Sequence, residues 1–177
     1  LGESPMKIQV LILPFTGLFL FLSACTVHHT TTTYWNRAAG IRKEQGTAYF
    51  ITGKDGAAKE IRDGKWTTWH RNTKKHTEIH FRNGVPVGEM RIWYPDGRLK
   101  YRANYDENGL LDGVISFYTQ DGQLKTHTVS HGTGTVYSYY DDGALKSEIV
   151  YRQGKIQGKA RYFSPDGKLL YEEDNSQ

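Results

Sequence analysis

A glycine and an aromatic residue recur at fixed offsets along this chain, and that spacing restricts the fold more than any other feature. Leading glycines fall at Gly64, Gly88, Gly113, Gly134 and Gly158, and all but the first are followed nine residues later by Gly97, Gly122, Gly143 and Gly167. Asp96, Asp121, Asp142 and Asp166 stand before those second glycines, whereas the first copy has Asn72-Thr73 in the matching places. Five residues after each leading glycine comes Trp69, Trp93, Tyr118, Tyr139 or Phe163. Copies spaced 21 to 25 residues apart with constant internal offsets define a repeat array in which each unit packs on its neighbours.

Each unit reads as a β-hairpin. The stretch after the leading glycine is rich in β-formers (Ile92, Trp93, Tyr94; Val136, Tyr137, Tyr139) and runs into Pro95-Asp96-Gly97, Gln120-Asp121-Gly122, Asp142-Gly143 or Pro165-Asp166-Gly167. These are hairpin turn signals, because glycine accepts positive φ and aspartate bonds the turn backbone. In the second strand Leu99, Tyr101, Ala103 and Tyr105 alternate with Lys100, Arg102 and Asn104. A period of two turns one face to a core and the other to water. The expected fold is all-β, a repeat array of antiparallel hairpins in a meander sheet, with no useful helix after residue 25. About ten strands at roughly 4.8 Å spacing give a ribbon roughly 45 to 50 Å long. Glu172, Glu173 and Asp174 put charge on its last edge, which discourages end-to-end pairing.

The start of the chain specifies an address. Residues 1–5 read as an extension upstream of Met6. Residues 6–24 carry a nearly unbroken apolar run from Ile8 to Leu22, which is short of the roughly 20 residues and anchoring flanks of a membrane span and is read as a secretory signal peptide. Leu22-Ser23-Ala24-Cys25 resembles the lipobox of bacterial lipoproteins, which implies acylation of Cys25. As the only cysteine in the chain, Cys25 has no internal disulfide partner. Thr26 follows it, not the Asp favoured for inner-membrane retention, so the resemblance points to the cell envelope, on the periplasmic side of the outer membrane in a cell with two membranes. Residues 25–45, with His28, His29 and Thr30 to Thr33, read as a lipidated cysteine on a polar tether that buries too little to order itself, with Tyr34 and Trp35 as the first point of docking. Residues 46–177 form the repeat domain.

The repeats themselves resemble the variant MORN repeat: glycine, paired aromatics, a polar turn ending in glycine, Leu-Lys, an alternating strand and a closing Tyr-x-x-Gly. Gly134 to Gly154 matches closely, with Tyr139-Tyr140, Asp142-Gly143, Leu145-Lys146 and Tyr151-Arg152-Gln153-Gly154. The copies from Gly88 onward fit, Gly64 to Gly84 lacks its turn glycine, the copy at Gly113 has Ser130 where an aromatic is expected, and Tyr49 to Gly64 reads as a further degenerate copy. The resemblance implies a bacterial envelope protein of an antitoxin-like or immunity-like class.

Chemistry-bearing motifs are sparse. No nucleophile elbow, phosphate loop or H-E-x-x-H motif occurs. In an extended strand His76 and His80 lie about 13 Å apart, with His127 about 19 Å off, too far for one tetrahedral metal. The turn carboxylates already have a structural role. A net charge of +4 with interspersed signs does not make the basic stripe that nucleic acid requires. No enzyme activity, cofactor or metal is expected. The expected partners are a membrane, through the lipid on Cys25, and a protein, either a toxin or an envelope component. Trp69, Trp93, Tyr118, Tyr139 and Phe163 are the candidate partner-binding row, or alternatively the ladder that packs one unit on the next. A structural scaffold that binds glycan or lipid is the second functional reading.

Overall fold

The computed structural model describes residues 27–176. The upstream extension, the signal segment and Cys25 lie outside those residues. Twelve strands follow one another: β1 (His29–Asn36), β2 (Ile41–Thr52), β3 (Ala58–Trp69), β4 (Lys75–Arg82), β5 (Val85–Trp93), β6 (Leu99–Tyr105), β7 (Gly113–Tyr118), β8 (Leu124–Val129), β9 (Gly134–Tyr139), β10 (Leu145–Arg152), β11 (Lys155–Phe163) and β12 (Leu169–Asp174). Every pairing is antiparallel between sequential strands, and no helix occurs among the described residues. The expected single ribbon is divided: β1 to β8 form one sheet and β9 to β12 a second.

Two turn types join most of the strands. At Tyr94–Arg98 the Gly97 N–H bonds the Tyr94 carbonyl and the Tyr94 N–H bonds the Arg98 carbonyl, with Gly97 at φ +95°. That is a type I turn closed by a left-handed residue, and it recurs at Thr119, Tyr140 and Ser164. The opposite edge carries two-residue turns with both centres at positive φ at Asn83-Gly84, His131-Gly132 and Gln153-Gly154, and repeats the first type at Gly53–Ala57 and Asp106–Leu110. The leading glycine serves a third purpose. Gly88 sits at φ +70° inside β5, where the register with β4 slips between the Glu78 and His80 pairs. It forms a bulge that a side chain would strain.

The segment expected to be a free tether is ordered from His29. The β1–β2 ladder pairs His29 with Ala48 and continues to Asn36 with Ile41, so docking begins well before Tyr34. The strand is held by polar rather than apolar contacts. His28 meets Asp63 at 2.7 Å, His29 meets Glu60 at 3.3 Å and stacks on Phe50, and the Thr31 and Thr33 hydroxyls donate to Glu60 and Glu44. Threonine is β-branched and suits an extended strand once a neighbour supplies the ladder.

The principal core lies where the sheets meet. Ala103, Ile115 and Val129 of the first sheet are buried, and Val136 of the second packs on them with Tyr101 and Leu111. The alternation of β6 is as the sequence implies, with Ala103 buried and Arg102 and Asn104 exposed. Backbone bonds carry the array across the seam: Gly132 N–H to the Leu111 carbonyl (2.7 Å) and Gln120 N–H to the Asp141 carbonyl (2.9 Å). The Tyr137 N–H on β9 donates to Nε2 of His127 at 3.3 Å, so a side chain of the first sheet satisfies part of the second sheet's edge.

Candidate functional site

The five aromatic residues of the candidate row occupy equivalent places. Trp69 pairs with Lys75, Trp93 with Leu99, Tyr118 with Leu124, Tyr139 with Leu145 and Phe163 with Leu169, always at the turn end of the hairpin. All are half-buried. The seam separates them, with Trp69, Trp93 and Tyr118 on the first sheet and Tyr139 and Phe163 on the second. The Arg42 guanidinium lies 4.6 Å from the Trp69 ring and the Lys75 ammonium 5.7 Å from that of Trp93. Tyr139 instead reaches across the seam to Phe117, with ring centroids 5.3 Å apart.

What links one unit to the next is the neighbouring position, which sequence reasoning missed. His70 Nε2 donates to the Trp93 carbonyl (2.9 Å), the Tyr94 hydroxyl to the Tyr118 carbonyl (2.9 Å) and the Tyr140 hydroxyl to the Phe163 carbonyl (2.9 Å). Each bond runs from the residue after the aromatic to the aromatic's counterpart one unit on. The signal was present in the pairs Trp93-Tyr94 and Tyr139-Tyr140, since a buried tyrosine hydroxyl requires a partner. Tyr94 is only 2 % exposed, and burial, assisted by the Asp141 carboxylate, pushes its hydroxyl pKa up to about 12. At the seam Thr119 replaces the tyrosine, and its hydroxyl donates to Asp121 within its own turn.

Around Tyr139 the seam opens into a hollow of about 190 Å³ lined by Ile92, Lys100, Tyr101, Phe117, Tyr137 and Tyr139. Lys100 and Asp141 form an ion pair across its rim at 2.7 Å. Burial raises the pKa of the Tyr101 and Tyr139 hydroxyls, so both stay protonated and can donate. The turn carboxylates are engaged locally. Asp96 is lowered by the Arg98 side chain and backbone N–H, Asp121 first by the Thr119 hydroxyl, and Asp166 first by the Ser164 hydroxyl. His76 and His80 are not brought together with a third ligand: among the described residues no group of three or more His, Cys, Asp or Glu is placed to hold a metal ion. The site offers aromatic faces, hydroxyl donors and cations, which is the chemistry of binding.

These features define an all-β repeat protein with aromatic-lined turn ends. The family model described as MORN repeat variant matches residues 86–107, 133–153 and 156–174, so the chain carries variant MORN repeats in those segments. The matched segments leave out the hairpin β7–β8, whose copy has Thr119 and Ser130 in place of aromatics. No curated protein and no solved structure matches the chain.

Proposed function

We propose that the protein is an envelope-anchored lipoprotein whose repeat array is a non-catalytic module for recognising a protein partner, with neutralisation of a toxin as its most specific form. The observation that carries the reading is the hollow at the seam, where the rings of Tyr101, Phe117, Tyr137 and Tyr139 meet beside the Lys100–Asp141 ion pair. Aromatic-lined pockets of this kind receive the anchor side chains that dominate protein interfaces. Because β1 begins at His29, a lipid on Cys25 holds the first sheet within about 14 Å of the bilayer, the reach of four residues of extended chain. The array is then joined to the bilayer through a short link at β1 rather than a long tether.

The test is affinity capture from envelope and secreted extracts with the full chain, followed by mass spectrometry. One protein retained near stoichiometrically, and lost with Tyr139→Ala or with Trp93→Ala plus Tyr118→Ala while circular dichroism is unchanged, is the expected result. Incorporation of labelled palmitate, abolished by Cys25→Ala, checks the anchor. Retention of glycan or lipid alone would overturn the protein-recognition reading in favour of an envelope scaffold.

A further inference from the structure

The repeat pattern is most worn at its N-terminal turns, and there the surface changes character. The turns after β5, β7, β9 and β11 each contain an aspartate, whereas Tyr34 to Lys43 holds Arg37, Arg42 and Lys43 with no acid, and Trp69 to Lys75 holds Arg71, Lys74 and Lys75 with none. Lys75 is paired with Glu78. Arg37, Arg42, Lys43 and Arg71 pair with no carboxylate among the described residues, and Arg42 donates one N–H to the Gln45 side-chain oxygen at 2.8 Å.

These four cations are gathered on aromatic rings. Arg37 lies 5.4 Å from the ring of Tyr34, Lys43 and Arg71 each lie 5.0 Å from that of Trp35, and Arg42 lies 4.6 Å from that of Trp69. The Trp35 indole N–H donates to the Trp69 carbonyl at 3.0 Å, which ties the two hairpin ends into one surface. Trp35 is 43 % and Tyr34 37 % exposed. Thr73, beside Arg42 and Trp69 at a small hollow, holds φ +67° where the other copies have glycine. A β-branched residue in that region is strained, and strain of this kind concentrates where a site has been built.

We infer that this cation–aromatic end is a second binding surface, and that its occupant is an acidic segment of a protein partner, recognised through clustered Asp and Glu carboxylates. The inference rests on the reading of the array as a protein-recognition module. A guanidinium stacked on a ring leaves its in-plane N–H donors to grip a carboxylate in pairs; Arg42 spends one of its five on Gln45 and keeps the rest. Sugar stacking fits less well, because cations already lie over the rings of Trp35 and Trp69 that a sugar would need. Trp, Tyr and Arg are the side chains that carry most interface energy, and holding the arginines in place beforehand lowers the cost of ordering them on binding.

The full chain in neutral detergent is titrated with poly-L-glutamate, with tryptophan emission as the readout. Arg42→Gln plus Arg71→Gln should weaken binding about tenfold or more, whereas Lys146→Gln plus Lys155→Gln, an equal loss of charge elsewhere, should change it by less than about twofold. Arg42→Lys plus Arg71→Lys keeps every charge and guards against misfolding; it should still weaken binding, because an ammonium lacks the planar fork. Equal losses in the two glutamine pairs would reduce the effect to net charge and overturn the inference. So would binding to micelles containing phosphatidylglycerol with none to poly-L-glutamate. Poly-L-glutamate binding at this end, together with an affinity capture that retains no protein, would remove the module reading and leave only a carboxylate-binding surface.

Discussion

His131 occupies the first centre of a two-residue turn at φ +44°, and its imidazole lies between two carboxylates, 3.2 Å from Asp106 and 4.0 Å from Asp112. The hydrogen bond to Asp106, then the charge of Asp112, raises its pKa above the ordinary histidine value. A raised folded pKa means that the folded chain holds the proton more tightly. The resulting stability is fully present below about pH 6.5, the unfolded value, and is lost as pH rises through the higher folded one. Asparagine tolerates the left-handed turn, so His131→Asn removes the charge and keeps the backbone. The melting temperature of the variant should fall below wild type at pH 5.5 and approach it at pH 8.5, as read by circular dichroism. His127 and His76 act in the opposite sense. Burial lowers both, with the neighbouring His70 adding to the effect at His76, so their contribution falls away as pH drops below 6.5. The difference between wild type and variant isolates His131 from them.

At the scale of the hairpin, the unit-to-unit bond from Tyr94 to the Tyr118 carbonyl is the feature with the clearest energetic consequence. Tyr94→Phe keeps the buried ring and deletes only the donor, so it should destabilise the fold by about 1 kcal/mol, the net worth of a typical hydrogen bond, as measured by urea denaturation. A much larger loss would mean that the ring had moved. The hairpins from β5 onward were legible because turn and alternating strand each demand particular residues at particular offsets, Gly97 for the turn and Ala103 for the buried face, whereas the bulge at Gly88 was not read from the sequence. The first strand was not legible, because its order comes from partners far along the chain. Thr31 and Thr33 are held by Glu60 and Glu44, and nothing local in a run of threonines announces such pairing. The aromatic row lies at the turn ends, but whether its rings face solvent, a cation or another sheet depends on the seam. The sequence hints at that seam through Thr119 and Ser130, where the repeat pattern loses its aromatics, and through the short spacing from Gly113 to Gly134.

At the scale of the whole molecule, the seam interrupts the ribbon where the copy spacing is shortest, between Gly113 and Gly134. The ladder thins before it breaks: β6 and β7 share only the Tyr101–Phe117 and Arg102–Ser116 pairs, with an isolated bridge at Tyr105–Leu111, and between β8 and β9 only the Ser130–Thr133 bridge remains. Backbone pairing is replaced there by apolar packing, with Val136 of the second sheet set against Ala103, Ile115 and Val129 of the first. In a repeat array stability is close to a sum of unit and interface terms, and cooperativity survives only while the interfaces are strong. Ile115 is 1 % exposed and stands at the centre of this interface. Ile115→Ala should cost about 2 to 5 kcal/mol from lost burial and the cavity left behind. Because that cost falls on the joint, it should also uncouple the sheets, so that differential scanning calorimetry resolves two transitions where wild type shows one, while Leu145→Ala within the second sheet leaves a single, lowered transition. The hollow lined by Tyr101, Phe117 and Tyr139 spans the same joint, so partner capture by Ile115→Ala should be lost at temperatures where both sheets are still folded.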